Sequence, residues 1–262
     1  MLTPGLQRRH LLGLAACWAG TASAQTDLAD AINMAGRQRM LSQRMVKAWL
    51  AQACRTPTPT AVQVLSQSMA LFERQREQLA AYAPGATLRA TFAAMDAAWQ
   101  DLREVLGSPP QAGRAVALLQ ADNRVLALAQ QGTALLEATS NRPAGPLVNQ
   151  AGRQRMLSQR MAKYYFATVL RVEPEAAAAE MAHARTEFLQ AQDALRRAPD
   201  STGPIAEELA LADGQWVFFE SALKNATTAT PGSRALAEVF VTSENLLSVM
   251  DRVTGLYAAL RA

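Results

Sequence analysis

The 262-residue chain carries 26 basic and 22 acidic side chains, a formal charge of +4. Residues 1–24 read as a cleaved export signal, and removing its Arg8 and Arg9 leaves 24 basic and 22 acidic groups, too even a balance to favour a nucleic-acid partner. Of the two cysteines, Cys17 lies in the signal. The mature chain therefore excludes an internal disulfide, and without a CxxCH sequence it excludes covalently attached c-type haem, so packing must carry its stability.

Within the signal, Arg8 and Arg9 precede an apolar run from Leu11 to Trp18, and Ala22-Ser23-Ala24 fits a signal-peptidase site before Gln25. The run is too short to cross a bilayer. Arg8 to Leu12 is similar to a twin-arginine export signal, and Leu14-Ala15-Ala16-Cys17 to a lipoprotein box. The short apolar stretch before Cys17 favours a periplasmic or secreted protein over lipid anchoring at that residue. Cys54 is expected to be a partly buried thiol near a helix end.

The mature chain is rich in alanine, leucine, glutamine, arginine and glutamate and poor in strand-forming runs, which is helical composition. Punctuation by proline, glycine and capping residues divides it. A first helix is predicted over 27–53, ending before Pro57 and Pro59. The second is predicted over 60–81, before Pro84-Gly85, and the third over 86–106, before Gly107-Ser108-Pro109-Pro110. The fourth should occupy 112–139, with Asn141-Arg142-Pro143 and Gly145-Pro146 as a separator. The order then repeats, with helices predicted over 147–172, 174–198, 204–226 and 233–260. An all-α fold follows: tandem four-helix bundles from an internal duplication, spanning 25–142 and 143–262.

The repeat is plainest at the start of each unit. Residues 33–47 read NMAGRQRMLSQRMVK and residues 149–163 read NQAGRQRMLSQRMAK, agreeing at thirteen of fifteen positions. Fainter echoes keep the spacing: Phe72 with Phe188, Trp99 with Trp216, Asn123 with Asn245. The aromatic side chains are expected to anchor the cores.

Projected at about 100° per residue, Ile32, Met34, Leu41, Met45, Val46, Trp49 and Leu50 form one broad apolar arc. Gln38 and Ser42 point into that arc, and Arg39 lies at its edge. Arg37, Arg44 and Lys47 fall on the opposite side, expected to face solvent or a partner, and Met40 falls there too. The second copy rebuilds the arc from Val148, Leu157, Met161, Ala162, Tyr165 and Phe166. Gln154, Ser158 and Arg155 lie inward, and Arg153, Arg160 and Lys163 outward.

A guanidinium beside an apolar seam keeps its charge, so Arg39 and Arg155 must meet an anion or reach water. A salt bridge to another helix and a snorkelling side chain both satisfy that demand. So does a small oxyanion held by the arginine fork, with Gly36 and Gly152 one turn earlier allowing close approach to the backbone. If the first helices of the two copies pack around a pseudo-two-fold axis, or two chains form a homodimer, the arginines come together and require an anion between them.

The segment Ile32 to Met45, with its copy Val148 to Met161, resembles the signature of the sensory domain of type IV pilus methyl-accepting chemotaxis transducers. More distantly it is similar to the periplasmic sensor domain of nitrate/nitrite histidine kinases. The resemblance implies a four-helix sensory module outside the cytoplasmic membrane, with Gly36, Arg39, Gly152 and Arg155 as ligand-binding residues for nitrate or nitrite. Gln38, Ser42, Gln154 and Ser158 are secondary polar candidates. Sensors of this kind continue into membrane-spanning and output segments that this sequence does not show, so a separate membrane signalling partner is expected.

No Ser/His/Asp or paired-cysteine pattern points to catalysis, and the lone Glu180-x-x-His183 spacing lacks the second motif of a di-iron bundle. Neither an enzyme nor a cofactor or metal is expected. The competing reading is a helical scaffold or adaptor that docks a membrane receptor or kinase through Arg37, Arg44, Lys47, Arg153, Arg160 and Lys163.

Overall fold

The structure, a computed structural model, describes residues 28–140, 145–226 and 228–260. The expected export signal with Cys17, and most of the expected separator at 141–144, lie outside the described residues. Among the described residues, eight α-helices follow in order: α1 Leu28–Ala53, α2 Thr60–Tyr82, α3 Ala86–Leu106, α4 Ala115–Glu137, α5 Gly145–Val169, α6 Pro174–Arg197, α7 Pro204–Asn225 and α8 Arg234–Ala259.

The turn chemistry that marked these boundaries also explains them. Gly85 and Gly203 precede α3 and α7 at φ values of +77° and +51°, a region open to glycine because it has no Cβ. Pro174 and Pro204 open α6 and α7, where a missing N–H removes no helical bond. Some boundaries depart from expectation. Residues Ala112–Arg114 form a separate 3-10 turn, with α4 starting at Ala115 after an extended Gln111. Helix α5 begins at Gly145, so Gly145-Pro146 starts a helix rather than separating two, again because proline suits a first turn. It ends at Val169, three residues early, where Arg171 turns the chain at φ +57°, matching Arg55 at φ +52° after α1.

Helix α1 packs on α2 and α4, and α5 packs on α6 and α8; α3 covers α4 and α7 covers α8. The eight helices thus form two four-helix-bundle-like halves, joined because α1 and α5 lie along each other. Their contacts run from Arg39–Asn149 and Asn33–Arg155 near both starts to Cys54–Phe166 near both ends, so the two helices are parallel. One apolar cluster extends across the junction, from Trp49, Phe72 and Trp99 to Phe166, Phe188 and Trp216. A smaller cluster around Ile32, Leu79, Phe92 and Leu136 closes the far end of the first half.

The aromatic anchors repeat between halves. Phe72 lies 4.5 Å from Trp99 and Phe188 lies 4.7 Å from Trp216, ring centre to ring centre. Phe218 breaks the expectation that phenylalanines are core: it projects from α7 and is 62 % exposed. Cys54 is fully enclosed rather than partly buried, and burial pushes its thiol up to about 12. Among the described residues, no helix is long and apolar enough to cross a membrane.

Candidate functional site

Central position changes what the motif residues meet. A helix with neighbours on several sides buries more than one face, and α1 encloses Gln38, Arg39, Ser42, Gln43 and Lys47 together with its apolar arc. Helix α5 does the same with Gln154, Arg155, Ser158, Gln159 and Lys163.

Arg39 is 1 % exposed. Its side chain folds back over Gly36, where an added Cβ would come within 3.2 Å of the guanidinium, so glycine makes room for the arginine one turn later. Nη1 donates to Gln130 Oε1 on α4 at 2.7 Å, and Nη2 donates to Asn149 Oδ1 on α5 at 2.8 Å. Both acceptors are neutral amides, and among the described residues no carboxylate touches this guanidinium. Glu137 stands one step away, accepting from Asn149 Nδ2 at 2.9 Å. Burial pulls Arg39 down to about 10, against Glu137 and with the help of Arg153 and Arg155; it is still a cation at neutral pH. Burial likewise pushes the Glu137 carboxyl up, with Arg39 opposing.

Arg155 repeats the pose over Gly152, with the same 3.2 Å clearance. Its Nη2 reaches back to Asn33 Oδ1 at 3.2 Å, the reciprocal of the Arg39–Asn149 bond. The two arginine–asparagine bonds thus run in opposite directions between α1 and α5. The remaining contact differs: Nη1 donates to Asp251 Oδ1 on α8 at 2.5 Å. Asp251 also accepts from Arg37 at 3.2 Å. Burial works to raise the Asp251 carboxyl, but Arg155 and Arg37 hold it below the ordinary range. Thus Arg155 has the interhelical salt bridge that charge burial demands, whereas Arg39 has amides.

Of the secondary polar candidates, the glutamines bind helices to one another and the serines bond within their own helix. Gln38 Nε2 donates to Phe72 O at 3.3 Å, and Gln154 Nε2 to Phe188 O at 3.0 Å, tying each motif helix to the next. Ser42 and Ser158 donate to the carbonyls of Arg39 and Arg155. Gln43 and Gln159, not singled out from sequence, reach Asp122 and Ser243 O. The side-chain oxygens of all four glutamines are buried without a donor from the protein.

The expected outward surface needs correction. Lys47 and Lys163 are completely buried. Lys47 Nζ donates to Ser243 Oγ at 3.0 Å and Glu244 Oε1 at 2.6 Å, and Lys163 Nζ to Asp122 Oδ2 at 2.7 Å. Arg44 forks onto the same Glu244, and Arg37 meets Asp251, so the first-half cations pair with α8 of the second half. Burial works to raise Glu244, yet Lys47 and Arg44 hold it at about 2. Arg153 and Arg160 pair with Glu187 and Glu180 on α6. Met40 and Met156, each 5 % exposed, fit a helix flanked on that side too. Sequence periodicity had no means of placing α8 against this face. Asp122, Gln130, Glu137, Glu244 and Asp251 were missed for the same reason: each lies on a fourth helix and belongs to the site through tertiary packing.

Two grooves flank the central pair. One, of about 350 Å³, includes Arg37, Arg44, Glu244 and Asp251 in its lining. The other, of about 380 Å³, includes Arg153, Arg160, Asn123 and Gln130, along with Glu180 and Glu187. Gln130 thus lines a groove with the same side chain that meets Arg39.

Among the described residues, no group of three or more His, Cys, Asp or Glu side chains is placed to hold a metal. Two bundle halves built around a buried polar helix pair define an all-helical protein. The family description "Type IV pili methyl-accepting chemotaxis transducer N-term" (PilJ) matches residues 21–133 and 137–240, most of the chain, and the chain belongs to that family. No curated protein and no solved structure matches it significantly.

Proposed function

We propose that the chain is a periplasmic module that senses a small anion, with nitrate and nitrite the first candidates, using Gly36, Arg39, Gly152 and Arg155. Units 25–142 and 143–262, read as copies of one ancestral domain, supply the two motif helices. The observation that carries the reading is Arg39: a guanidinium only 1 % exposed whose terminal nitrogens rest on two neutral amides. A buried cation without a contacting counter-charge is costly, and an oxyanion would supply that charge through a bidentate arginine contact. Calorimetric titration of the mature protein with nitrate, nitrite and chloride tests it. Saturable heat that disappears in a folded Arg39→Leu variant is expected; no saturable heat from any of the three defeats the proposal.

A second reading, docking to a separate membrane receptor or kinase, gains support from α7 and α8 rather than from the motif cations. Leu211, Val217 and Phe218 on α7 and Val241 on α8 are 54, 63, 62 and 45 % exposed. Phe218 and Val241 line one groove between these helices, and exposed apolar groups that adjoin in space favour a contact surface. Signalling through such a partner is compatible with anion sensing, because the two features occupy different helices.

A further inference from the structure

The two arginines are placed alike and neutralised differently, and the difference follows a register through the fourth helices. Gln43 and Gln159, equivalent in the two motifs, reach Asp122 and Ser243, which sets an offset of 121 between α4 and α8 and corrects by one residue the Asn123–Asn245 pairing read from sequence; Thr133 and Thr254 fall at the same offset. At that offset Leu126 and Leu247 line the two grooves at matched positions. The same register sets Gln130, beneath Arg39, opposite Asp251, beneath Arg155.

We propose that Asp251 is a built-in substitute for the ligand, so that the chain offers one anion position, on Arg39, entered from the groove beside Gln130. This rests on the anion-sensing reading and narrows it. At Arg155 a carboxylate oxygen already sits 2.5 Å from Nη1, in the place an oxyanion would take. That carboxylate is tethered to α8 and held by Arg37 as well, so an incoming anion must displace a group present at high effective concentration. At Arg39 the competing groups are Gln130 and Asn149. A side-chain amide carries two N–H donors beside its oxygen. Rotation of Gln130 therefore exchanges an acceptor for the guanidinium for a donor to a bound anion. Gln130 also lines the groove, so the exchange happens at its wall.

The asymmetry assigns distinct tasks to near-identical motifs. Arg155, closed by Asp251, fixes the α5–α8 packing and holds Asn33 of α1. Arg39 keeps an exchangeable partner and reads the ligand. An anion there would draw α4 and the α1–α5 pair together through one guanidinium, a differential contact of the kind a sensor needs to shift its conformational balance.

Swapping the two residues tests this by calorimetry with sodium nitrate, sodium nitrite and sodium chloride, stoichiometry being read per chain. The mature wild-type protein should bind one anion. Gln130→Asp should place a carboxylate under Arg39, raise the melting temperature and weaken binding by more than about tenfold. Asp251→Gln, checked for native helicity, should raise the stoichiometry to two. Wild-type stoichiometry of two overturns the inference while leaving anion sensing intact, as does undiminished binding by Gln130→Asp. A folded Asp251→Gln protein that still binds one anion overturns it too. Silence of the wild-type protein to all three salts instead defeats the anion-sensing reading itself.

Discussion

Asp122→Ala should destabilise the protein more than any exposed ion-pair substitution in it. Asp122 on α4 and Lys163 on α5 are both 0 % exposed and meet at 2.7 Å. Gln43 on α1 donates to both oxygens of the same carboxylate at 3.0 Å. Alanine would strand an ammonium and an amide where water does not reach, and breaking one side of a buried pair costs about 3–5 kcal/mol. Total stability for a domain is about 5–15 kcal/mol, so this one carboxylate decides a large share of it. In urea, with a slope near the upper end of the ~1–3 kcal/mol/M range, the midpoint should fall by about 1–2 M. The melting temperature should fall by about 6–20 °C. Equilibrium urea unfolding followed by helical circular dichroism measures it, and Asp122→Leu with Lys163→Met should recover most of the loss because no charge is left unpaired. A loss below about 1 kcal/mol, the value of an exposed pair, would refute the claim that these groups are jointly sealed between the halves.

Acid should act through Glu244, whose folded-state value is held near 2 against an ordinary 4.5. A depressed carboxylate stabilises fully above its unfolded value, and that contribution, about 3 kcal/mol, fades as pH falls through 4.5 toward 2. Urea midpoints measured between pH 6 and pH 3 should therefore fall less steeply for Glu244→Gln than for the wild-type protein; parallel slopes would contradict the assignment. Gly132→Ala should be destabilising, because the new Cβ would stand 2.8 Å from Phe92 Cε1 in a ring that is 2 % exposed. Overpacking of about 1–3 kcal/mol outweighs the ~1 kcal/mol gain in helix propensity. A rise in melting temperature would show that Phe92 yields freely, and Phe92→Leu should relieve the clash.

Helix boundaries were legible because their causes are local. Gly85 and Gly203 turn the chain whatever lies across from them, and Pro174 and Pro204 fit a first turn before any tertiary contact forms. The inward placement of Arg39 and Arg155 was legible for a similar reason, since helical periodicity fixes which side chains share a face. The same periodicity misplaced Lys47 and Lys163. It assumed that one buried face leaves the other to water, and α1 and α5 are flanked on more than one side.

The sequence by itself determined a repeated all-helical architecture and a pair of arginines, each seated over a glycine one turn earlier, because capping, turn formation and periodicity act within a few residues. Tertiary structure decided that α1 and α5 run parallel at the centre and that Arg39 and Arg155 each reach the other motif's asparagine. It also decided that one arginine meets Asp251 and the other Gln130. Those outcomes depend on residues about 90–120 positions apart in the chain, and local periodicity carries no information about which distant helix supplies the facing charge.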